Sequence, residues 1–505
     1  MKHRIISRGL RAKSYGFYPG QVRLQSIVPQ RFSIAAPPNA TQRQVLDELS
    51  RHTLKVAENA HHGTQSTDGI AILASKEFTS WLEDETFMSA FLKALSKPAG
   101  TAQVNQPSLH VLTGITDGLG PHKLSSEPRS GFSVLRGSTD SILPGLWGKE
   151  GFAGTSQDST ACVSFVTNPL VGNTGALEVT LPLANTVFQN GRRSTLYASK
   201  WDIGDGGSMT LEMRHPKTIQ RIAGKGGSVN HTSSMIPLLP LTPPRKIVAG
   251  LGNIVRQVEV DGIPAPASKE LEAVIPKIFE ERARHDPTSS PRPMGVWCWV
   301  VPPHLMEAKK FDSLKLFQAG ASQSETDIAR GSMEIFSELL SSGCRLHKIL
   351  SGGGGWGLKQ GLLSLDPETS FSLPGQDDDM EMFIRSFKER NSAEPTSGLA
   401  TPGSYLIFCV EPQSKSTDSL SSQFLAPTNN FTFGVAPNPE DAPGPGSRAE
   451  PVETSSGHFG VSSATGLFLR TIPEFTGVSD NNGSRGNGQD SFTTKVDIPG
   501  ACFYV

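Results

Sequence analysis

The sequence lacks paired cysteines and long apolar runs. Its five cysteines (Cys162, Cys298, Cys344, Cys409 and Cys502) form no CxxC motif, and three of them stand in apolar runs. Such cysteines behave as small buried hydrophobes, and an odd number suits a reducing compartment. No stretch approaches about 18 uninterrupted apolar residues, so the sequence predicts no membrane span.

Signatures of metal and nucleophilic catalysis are also missing. The 12 histidines form no HExxH motif and no zinc spacing with cysteine, and there is no G-x-S-x-G elbow. The sequence therefore identifies no cofactor, and whether the protein binds one is unknown. The sequence favours a protein without catalysis of its own.

Acidic residues are absent from the first 46 positions, which contain eight Lys and Arg. Arg4, Arg8 and Arg11 recur at helical spacing beside a small apolar face. Such a start is typical of a mitochondrial transit peptide, which we assign to residues 1–35; the alternative is a disordered basic tail. Cleavage near Arg31–Phe32 would leave 40 basic and 48 acidic residues, a net charge of about −8, which argues against extensive nucleic-acid binding.

Hydrophobic periodicity predicts an α/β fold of the mixed α+β kind. We expect two packed layers with mixed β-sheets, two related or adjacent lobes, and long Gly-, Pro- and Ser-rich loops. A helix over 41–59 and a strand–helix–strand pattern over 69–74, 78–95 and 109–113 predict a βαβ unit with a parallel strand pair.

Proline-rich and loop-rich stretches suggest the domain bounds. Residues 41–236 are assigned to an N-terminal α/β domain and residues 245–411 to a C-terminal one, separated by the run PLLPLTPP. Residues 412–505 form a loop-rich segment whose short β-strands complete the second domain. Within and beside this segment, residues 411–425, 436–458 and 478–490 read as loops or disorder.

Three local signals allow sharper predictions. The dipeptide Asn190-Gly191, between strands predicted at 186–189 and 192–201, is typical of a tight hairpin. Pro276 is expected to break or kink a helix that Ser268 caps. Ser324 is expected to cap a helix over 325–341.

The glycine-rich loop at 351–361 invites a phosphate-binding interpretation. Gly352, Gly354 and Gly357 satisfy G-x-G-x-x-G after a predicted strand, but Gly361 and Asp366-Pro367 interrupt the helix that the dinucleotide motif requires. Leu358 separates the last glycine from Lys359, which departs from the Walker A pattern.

Some anion-binding capacity remains in that loop. The amides of Gly353 and Gly354 could cradle an anion, with Lys359 as countercharge and Trp356 as a stacking wall. The alternative is a tight turn that only glycine can form.

Two further loops carry candidate ligand-binding residues. Lys225 and Ser228 lie among glycines in the loop 224–234, which also fits an ordinary surface loop. Thr116 and Asp117 follow the strand at 109–113, where loops of a parallel sheet line a ligand crevice. The alternative for Asp117 is a turn residue.

The runs HVLTGITDGLGPHKLSSEPRSGFSVLRGSTDSILPGLWG and GNIVRQVEVDGIPAPASKELEAVIPKIFE resemble FIST-type domains. These are ligand-sensing modules of bacterial signalling proteins and some eukaryotic F-box proteins. The second run has the order strand, DG turn and Ser-capped acidic helix. The resemblance implies a small-molecule pocket between two α/β layers rather than an active site, although no F-box helices precede these runs.

Three functions follow as hypotheses. The first is a non-catalytic protein of the mitochondrial matrix that binds a small molecule or a mitochondrial protein partner. The second is an accessory factor in mitochondrial gene expression or complex assembly, motivated by Ser- and Pro-rich connections that could fold on a partner. The third, ranked last, is a nucleotide-dependent enzyme that uses the glycine-rich loops.

Overall fold

Strands dominate the part of the chain that the computed structural model describes. The described residues are 29–59, 67–96, 108–121, 129–148, 160–173, 175–204, 207–223, 231–285, 293–307, 324–352, 361–371, 399–413, 430–436, 451–472 and 492–505. The strands before residue 241 are β1 (Gln30–Ala35), β2 (Gly69–Ser75), β3 (Ser108–Thr116), β4 (Gly131–Gly137), β5 (Cys162–Thr167), β6 (Ala176–Pro182), β7 (Leu196–Ile203), β8 (Met209–Pro216), β9 (Ile219–Ala223), β10 (Ser233–Met235) and β11 (Leu239–Pro240). The later strands are β12 (Arg245–Leu251), β13 (Ile254–Val260), β14 (Ile263–Pro266), β15 (Val296–Val301), β16 (Arg345–Gly352), β17 (Leu363–Leu365), β18 (Tyr405–Val410), β19 (Asn430–Val435), β20 (Glu453–Ser456), β21 (His458–Ser463), β22 (Leu467–Ile472), β23 (Thr493–Val496) and β24 (Cys502–Tyr504).

Helices are fewer in the described residues. They are α1 (Gln42–Asn59), α2 (Thr79–Glu83), α3 (Glu85–Ser96), α4 (Thr139–Ile142), α5 (Val187–Asn190), α6 (Lys269–His285), α7 (Pro303–Glu307) and α8 (Glu325–Ser341), with a 3₁₀ turn at Lys76–Phe78. None of these helices combines the length and apolar character needed to cross a membrane.

A seven-stranded sheet forms the first layer, in the order β20-β1-β4-β2-β3-β7-β8. Strands β2 and β3 are parallel, with Ile70 opposite Val111, so the predicted βαβ unit is confirmed. Helices α1, α2 and α3 cover one face of this sheet. Their apolar side chains, including Leu49 and Phe91, are buried against the strand residues Ile72 and Phe132.

The opposite face of the seven-stranded sheet packs on the rest of the molecule. A four-stranded sheet (β10-β24-β19-β21) and a five-stranded sheet (β23-β22-β6-β5-β9) share its hydrophobic core. An eight-stranded sheet contains the path β11-β18-β12-β13-β17-β16-β15, with β14 beside β13. Several mixed sheets packed with helices confirm the predicted α/β class of the mixed α+β kind.

Strand β1 bears directly on the predicted transit peptide. It pairs with β4 along its whole length and with β20, and Phe32 and Ile34 are buried. Cleavage at Arg31–Phe32, or removal of residues 1–35, would cut or delete this inner strand. A presequence compatible with the fold therefore ends before Gln30.

The sequence misjudged some local structure. The predicted strand at 186–189 is instead the one-turn helix α5, which Gly191 ends in the left-handed region at φ 75°. Strands β6 and β7, on either side, belong to different sheets, so they do not form the predicted hairpin. The helix predicted over 78–95 is interrupted at Asp84, where the backbone becomes extended.

Two helix predictions have different outcomes. Ser324 caps α8 by accepting a hydrogen bond from the amide of Asp327, as predicted. Helix α6 follows Ser268 but continues through Pro276 to His285, so the predicted break is absent.

The C-terminal segment supplies strands to several sheets. Strand β20, within a stretch predicted to be loop, pairs with β1, and β22 pairs with β6. The amide of Leu346 donates to the hydroxyl of Thr494 on β23 (3.1 Å), which joins this segment to the eight-stranded sheet as well. The domain bounds themselves stay a prediction.

Candidate functional site

Six of the eight predicted ligand-binding residues lie outside the described residues. They are Lys225, Ser228, Gly353, Gly354, Trp356 and Lys359, and their role stays a prediction. The other two, Thr116 and Asp117, are well placed in the structure. They stand at the carboxyl end of the parallel pair β2–β3, the edge at which open α/β sheets bind ligands.

Thr116 and Asp117 connect the first layer to β21. The Thr116 hydroxyl is buried and lies 3.2 Å from the carbonyl of Gly118 and 3.4 Å from that of Ala74, so it fixes the start of the loop. The amide of Asp117 donates to the carbonyl of Ser462 (3.1 Å), and its Oδ2 accepts from the amide of Ala464 (2.7 Å). Both residues therefore help to hold the layers together.

The Asp117 carboxyl group also has an unusual environment. Burial raises its pKa, although the hydrogen bond from Ala464 and the nearby Lys76 ammonium lower it, and Glu77 raises it further. Among the described residues no donor is paired with its second oxygen, Oδ1. A carboxyl group with one oxygen fixed and one available is suited to accept an N–H or O–H group from a ligand.

The loop after Asp117 passes very close to the four-stranded sheet. Gly118 forms a bridge with Ser462. A Cβ atom on Gly120 would lie 2.7 Å from the carbonyl oxygen of Thr432 and 3.0 Å from the amide nitrogen of Val461. Since both neighbours are backbone atoms that cannot yield, only glycine fits at position 120.

Beneath this loop, β19 and β21 present a buried polar face. They are parallel, with Asn430 opposite His458, Thr432 opposite Gly460 and Gly434 opposite Ser462. The alternate positions are Phe431, Phe433, Phe459 and Val461, which enter the hydrophobic core, so polar and small residues share the other side. We call Asn430, Thr432 and Ser462 the polar trio.

Each member of the polar trio has a buried polar atom without a partner, as Thr242 and several other described residues do elsewhere in the fold. Exposed fractions are 2 % for Asn430, 0 % for Thr432 and 1 % for Ser462. The Asn430 Nδ2, Thr432 Oγ1 and Ser462 Oγ atoms have no hydrogen-bond partner among the described residues. Each such group lowers the free energy of unfolding by about 1–3 kcal/mol. A ligand that forms hydrogen bonds with these atoms would remove this destabilisation.

A second polar cluster, in which both serine hydroxyls are hydrogen-bonded, lies next to the trio. Ser33 Oγ lies 2.8 Å from Ser133 Oγ, 3.0 Å from His458 Nδ1 and 3.2 Å from the carbonyl of His458. Ser133 Oγ donates to the carbonyl of Gly460 (2.6 Å) and accepts from its amide (3.2 Å). The cluster fastens β1 and β4 to β21.

The contact between Ser33 and His458 has the composition of a nucleophile and its base, but not the surroundings. Ser33 and His458 are both buried, and four polar groups surround the Ser33 hydroxyl. A nucleophilic serine needs a hydroxyl that can reach a substrate. The arrangement therefore favours a structural role.

Thiol chemistry is equally disfavoured. All five cysteines are buried. Burial raises the pKa of Cys162, Cys344 and Cys502 to about 12, and it raises those of Cys298 and Cys409 as well. Since the thiolate is the nucleophile and metal ligand, these thiols are inert in the folded protein. Within the described ranges, no group of three or more His, Cys, Asp and Glu is placed to hold a metal ion.

Comparison with known proteins adds no further evidence: no family model, no curated protein and no solved structure matches the chain. The resemblance to FIST-type domains therefore stays a prediction. The site described above rests on geometry alone.

The sequence did not reveal the polar trio, although a signal for it exists. The run Asn430–Val435 alternates polar or small residues with Phe431, Phe433 and Val435. The alternation predicts a strand with one polar face. It does not show that this face is buried, because that depends on Ser33, Ser133 and the loop after Asp117.

Proposed function

We propose that the protein is a non-catalytic protein of the mitochondrial matrix that binds a small polar ligand between its two layers. The observation that carries the proposal is the buried polar trio with its three unpaired polar atoms. A folded protein rarely leaves buried polar groups unpaired, and such groups point to a bound ligand or water.

The trio and Asp117 suggest the character of the ligand. Asn430 Nδ2 is a hydrogen-bond donor, whereas the Thr432 and Ser462 hydroxyls both donate and accept. Asp117 Oδ1 is an available acceptor at the edge of the layer, and the backbone amide of Asp117 donates to the carbonyl of Ser462. Asn430 lies four positions, about 13 Å along the strand, from Gly434, the residue opposite Ser462. An elongated ligand with both donors and acceptors, such as a linear polyol or a short peptide, therefore matches these groups better than a compact one.

Binding without catalysis is supported by the chemistry next to the trio. The Ser33 hydroxyl is surrounded by four polar groups, and the thiols are protonated. The remaining hypotheses, an accessory factor and a nucleotide-dependent enzyme, depend on segments outside the described residues. They stay predictions.

Thermal-shift screening of the mature chain, followed by calorimetric titration of each compound that stabilises it, tests ligand binding. The decisive variant is Thr432→Val, which keeps the shape of the side chain and removes the unpaired hydroxyl. We expect this variant to be more stable without ligand and to bind at least about tenfold more weakly, because it loses one hydrogen bond to the ligand.

Thr242→Val is the matched control. Thr242 is also buried with an unpaired hydroxyl, but it lies after β11 rather than on β19. Its replacement should raise stability and leave ligand affinity unchanged. Equal affinity of both variants for every compound that binds would refute the site, and the absence of any stabilising compound would refute the ligand-binding function.

The mitochondrial location is supported by the basic, acid-free start of the chain. Imaging of the full-length protein fused to a fluorescent protein tests it. Replacing Arg4, Arg8 and Arg11 by Gln should move the fusion to the cytosol. Mitochondrial fluorescence that survives the triple change would show that the presequence is not the targeting signal.

A further inference from the structure

The turn between β6 and β7 carries two apolar side chains into solvent. Phe188 is 96 % exposed and Val187 is 45 % exposed, and both belong to the one-turn helix α5. Phe188 is the most exposed large hydrophobic residue in the described part of the chain. We refer to residues 185–193 as the Phe188 tip.

The Phe188 tip is held rigidly, so its exposure is a property of the fold. The Thr186 hydroxyl donates to the carbonyl of Arg192 (2.9 Å), and the Asn190 amide donates to Thr195 Oγ1 (2.8 Å) and to Glu83 Oε1 (2.9 Å). The backbone amide of Gly191 closes the turn on the carbonyl of Val187 (3.0 Å). Such a network fixes the backbone while it leaves the aromatic ring in water.

Arginines accompany the apolar pair. The guanidinium carbons of Arg192 and Arg214 lie 5.4 and 5.8 Å from the centre of the Tyr197 ring. Arg193 is exposed, and its Nε donates to Thr160 Oγ1 (3.0 Å). The exposed aromatic side chain of the tip therefore lies in a region that also contains several cationic side chains.

The carboxylates nearby are already engaged. Glu83 Oε1 accepts from both Asn190 and the Tyr197 hydroxyl (3.2 Å). Asp84 Oδ1 accepts from the amide of Thr86 at the start of α3 (2.9 Å). Glu83 thus holds the base of the tip in place and Asp84 bonds to the start of α3, whereas Arg192 and Arg193 form no ion pair with a described carboxylate and can meet an anionic partner.

We propose that the Phe188 tip inserts into an anionic phospholipid surface. Val187 and Phe188 enter the boundary between headgroups and acyl chains, and Arg192 and Arg193 contact the phosphate groups. An exposed aromatic residue beside basic ones is the combination that anchors proteins to membrane interfaces. This inference is independent of the ligand proposed for the polar trio.

A lipid surface fits the tip better than a protein partner does. A stable protein interface buries about 800 Å² on each side. Two protruding apolar side chains supply only a fraction of that area, whereas a membrane interface needs no matching surface, and the inserted ring and each basic contact add to the affinity.

Vesicle flotation of the full chain tests the proposal. Vesicles of phosphatidylcholine alone are compared with vesicles that also contain phosphatidylglycerol. We expect binding to the anionic vesicles only, with at least about a tenfold loss for Phe188→Ala, since the inserted ring is removed. Arg192→Gln combined with Arg193→Gln should also weaken binding and remove most of its dependence on salt.

The matched control is Leu54→Ala, because Leu54 is a large exposed apolar residue on α1 (57 %) away from the tip. It should bind vesicles as the wild type does. Absence of vesicle binding by the wild type, or equal losses in Phe188→Ala and Leu54→Ala, would overturn the proposal. The proposal would also be overturned if the wild type bound no vesicles and Phe188→Ala disrupted a protein complex, since the tip would then bind a protein partner. Phe188 is exposed, so its truncation should leave the melting temperature unchanged.

Discussion

The Ser33 hydroxyl on β1 and the His458 imidazole on β21 lie within 3.0 Å of each other, although 425 positions separate them in the chain. Around this contact the first described strand is fastened to a strand of the C-terminal segment, beside the polar trio. The candidate site is therefore assembled from the two ends of the sequence, and its integrity depends on β1.

The first prediction concerns the start of the mature protein. A chain beginning at residue 29 should fold as the full-length chain does, whereas one beginning at residue 36 should be strongly destabilised, because it loses β1 with the buried Phe32 and Ile34. Each of these side chains contributes about 1.5–3 kcal/mol by burial. Urea unfolding of both chains measures the difference. Cooperative unfolding of the shorter chain at the same urea concentration would contradict the importance of β1.

A second prediction concerns the Ser33 cluster. Ser33→Ala should lower the free energy of unfolding by about 1–3 kcal/mol, because His458 and Ser133 lose a partner inside the protein. Ser133→Ala should have a similar effect, and the double variant should cost less than the sum of the two, since the hydroxyls share one network. Additive losses in urea unfolding would show that the two serines act separately.

The third prediction is a pH dependence that arises from His347. Burial lowers the pKa of His347, with Arg345 contributing in the same direction, whereas the hydrogen bond to the Asp366 carbonyl (2.8 Å) and the Asp366 charge oppose it. In the unfolded chain the pKa is about 6.5, so the unfolded state binds a proton first as pH falls. Stability should therefore be constant above about pH 6.5 and should fall below it.

Denaturant unfolding between about pH 7.5 and pH 5.5 measures this loss, because most carboxylates do not titrate in that range. His347→Gln should flatten the curve. Burial lowers the pKa of His52 too, so a smaller slope should remain in the variant. An unchanged slope in His347→Gln would assign the pH dependence to other groups.

The fourth prediction concerns Asp117, whose effect on stability has the opposite pH dependence to that of His347. Burial raises its pKa in the folded protein, so its charge at neutral pH disfavours folding. Asp117→Asn keeps an oxygen for the amide of Ala464 and removes the charge, so the variant should be slightly more stable at pH 7. If Asp117 contacts the ligand, the same variant should bind more weakly. A gain in stability without a change in affinity would make Asp117 a structural residue only.

The fifth prediction concerns the thiols. Because all five cysteines are buried and burial raises their pKa, the native protein should react with a maleimide reagent only as fast as it unfolds. Mass spectrometry after labelling at pH 8, with and without urea, measures this. Rapid modification of one cysteine in the native protein would reveal an accessible thiol.

Much of the fold follows from local sequence patterns. Helix α1, the βαβ unit and the Ser324 cap depend on periodicity and on neighbouring residues, which the sequence displays directly. The turn at Asn190-Gly191 was misjudged because the flanking strands β6 and β7 belong to different sheets. A dipeptide cannot indicate where its flanking strands will pair.

The candidate site could be predicted only in part. Asp117 was identified because it follows a strand of a parallel pair, and the structure places it at that edge. The polar trio was missed because burial of β19 and β21 requires β1, β4 and the loop after Asp117 to meet them. Contacts over hundreds of residues leave no periodic signal in the chain.

The proposed function depends on a ligand held by the polar trio. A crystal structure of the mature protein, grown with the compound that gives the largest thermal shift, tests it most directly. We expect density for that compound within hydrogen-bond distance of Asn430 Nδ2, Thr432 Oγ1 and Ser462 Oγ. Density for the compound elsewhere, with water alone on these three atoms, would contradict it.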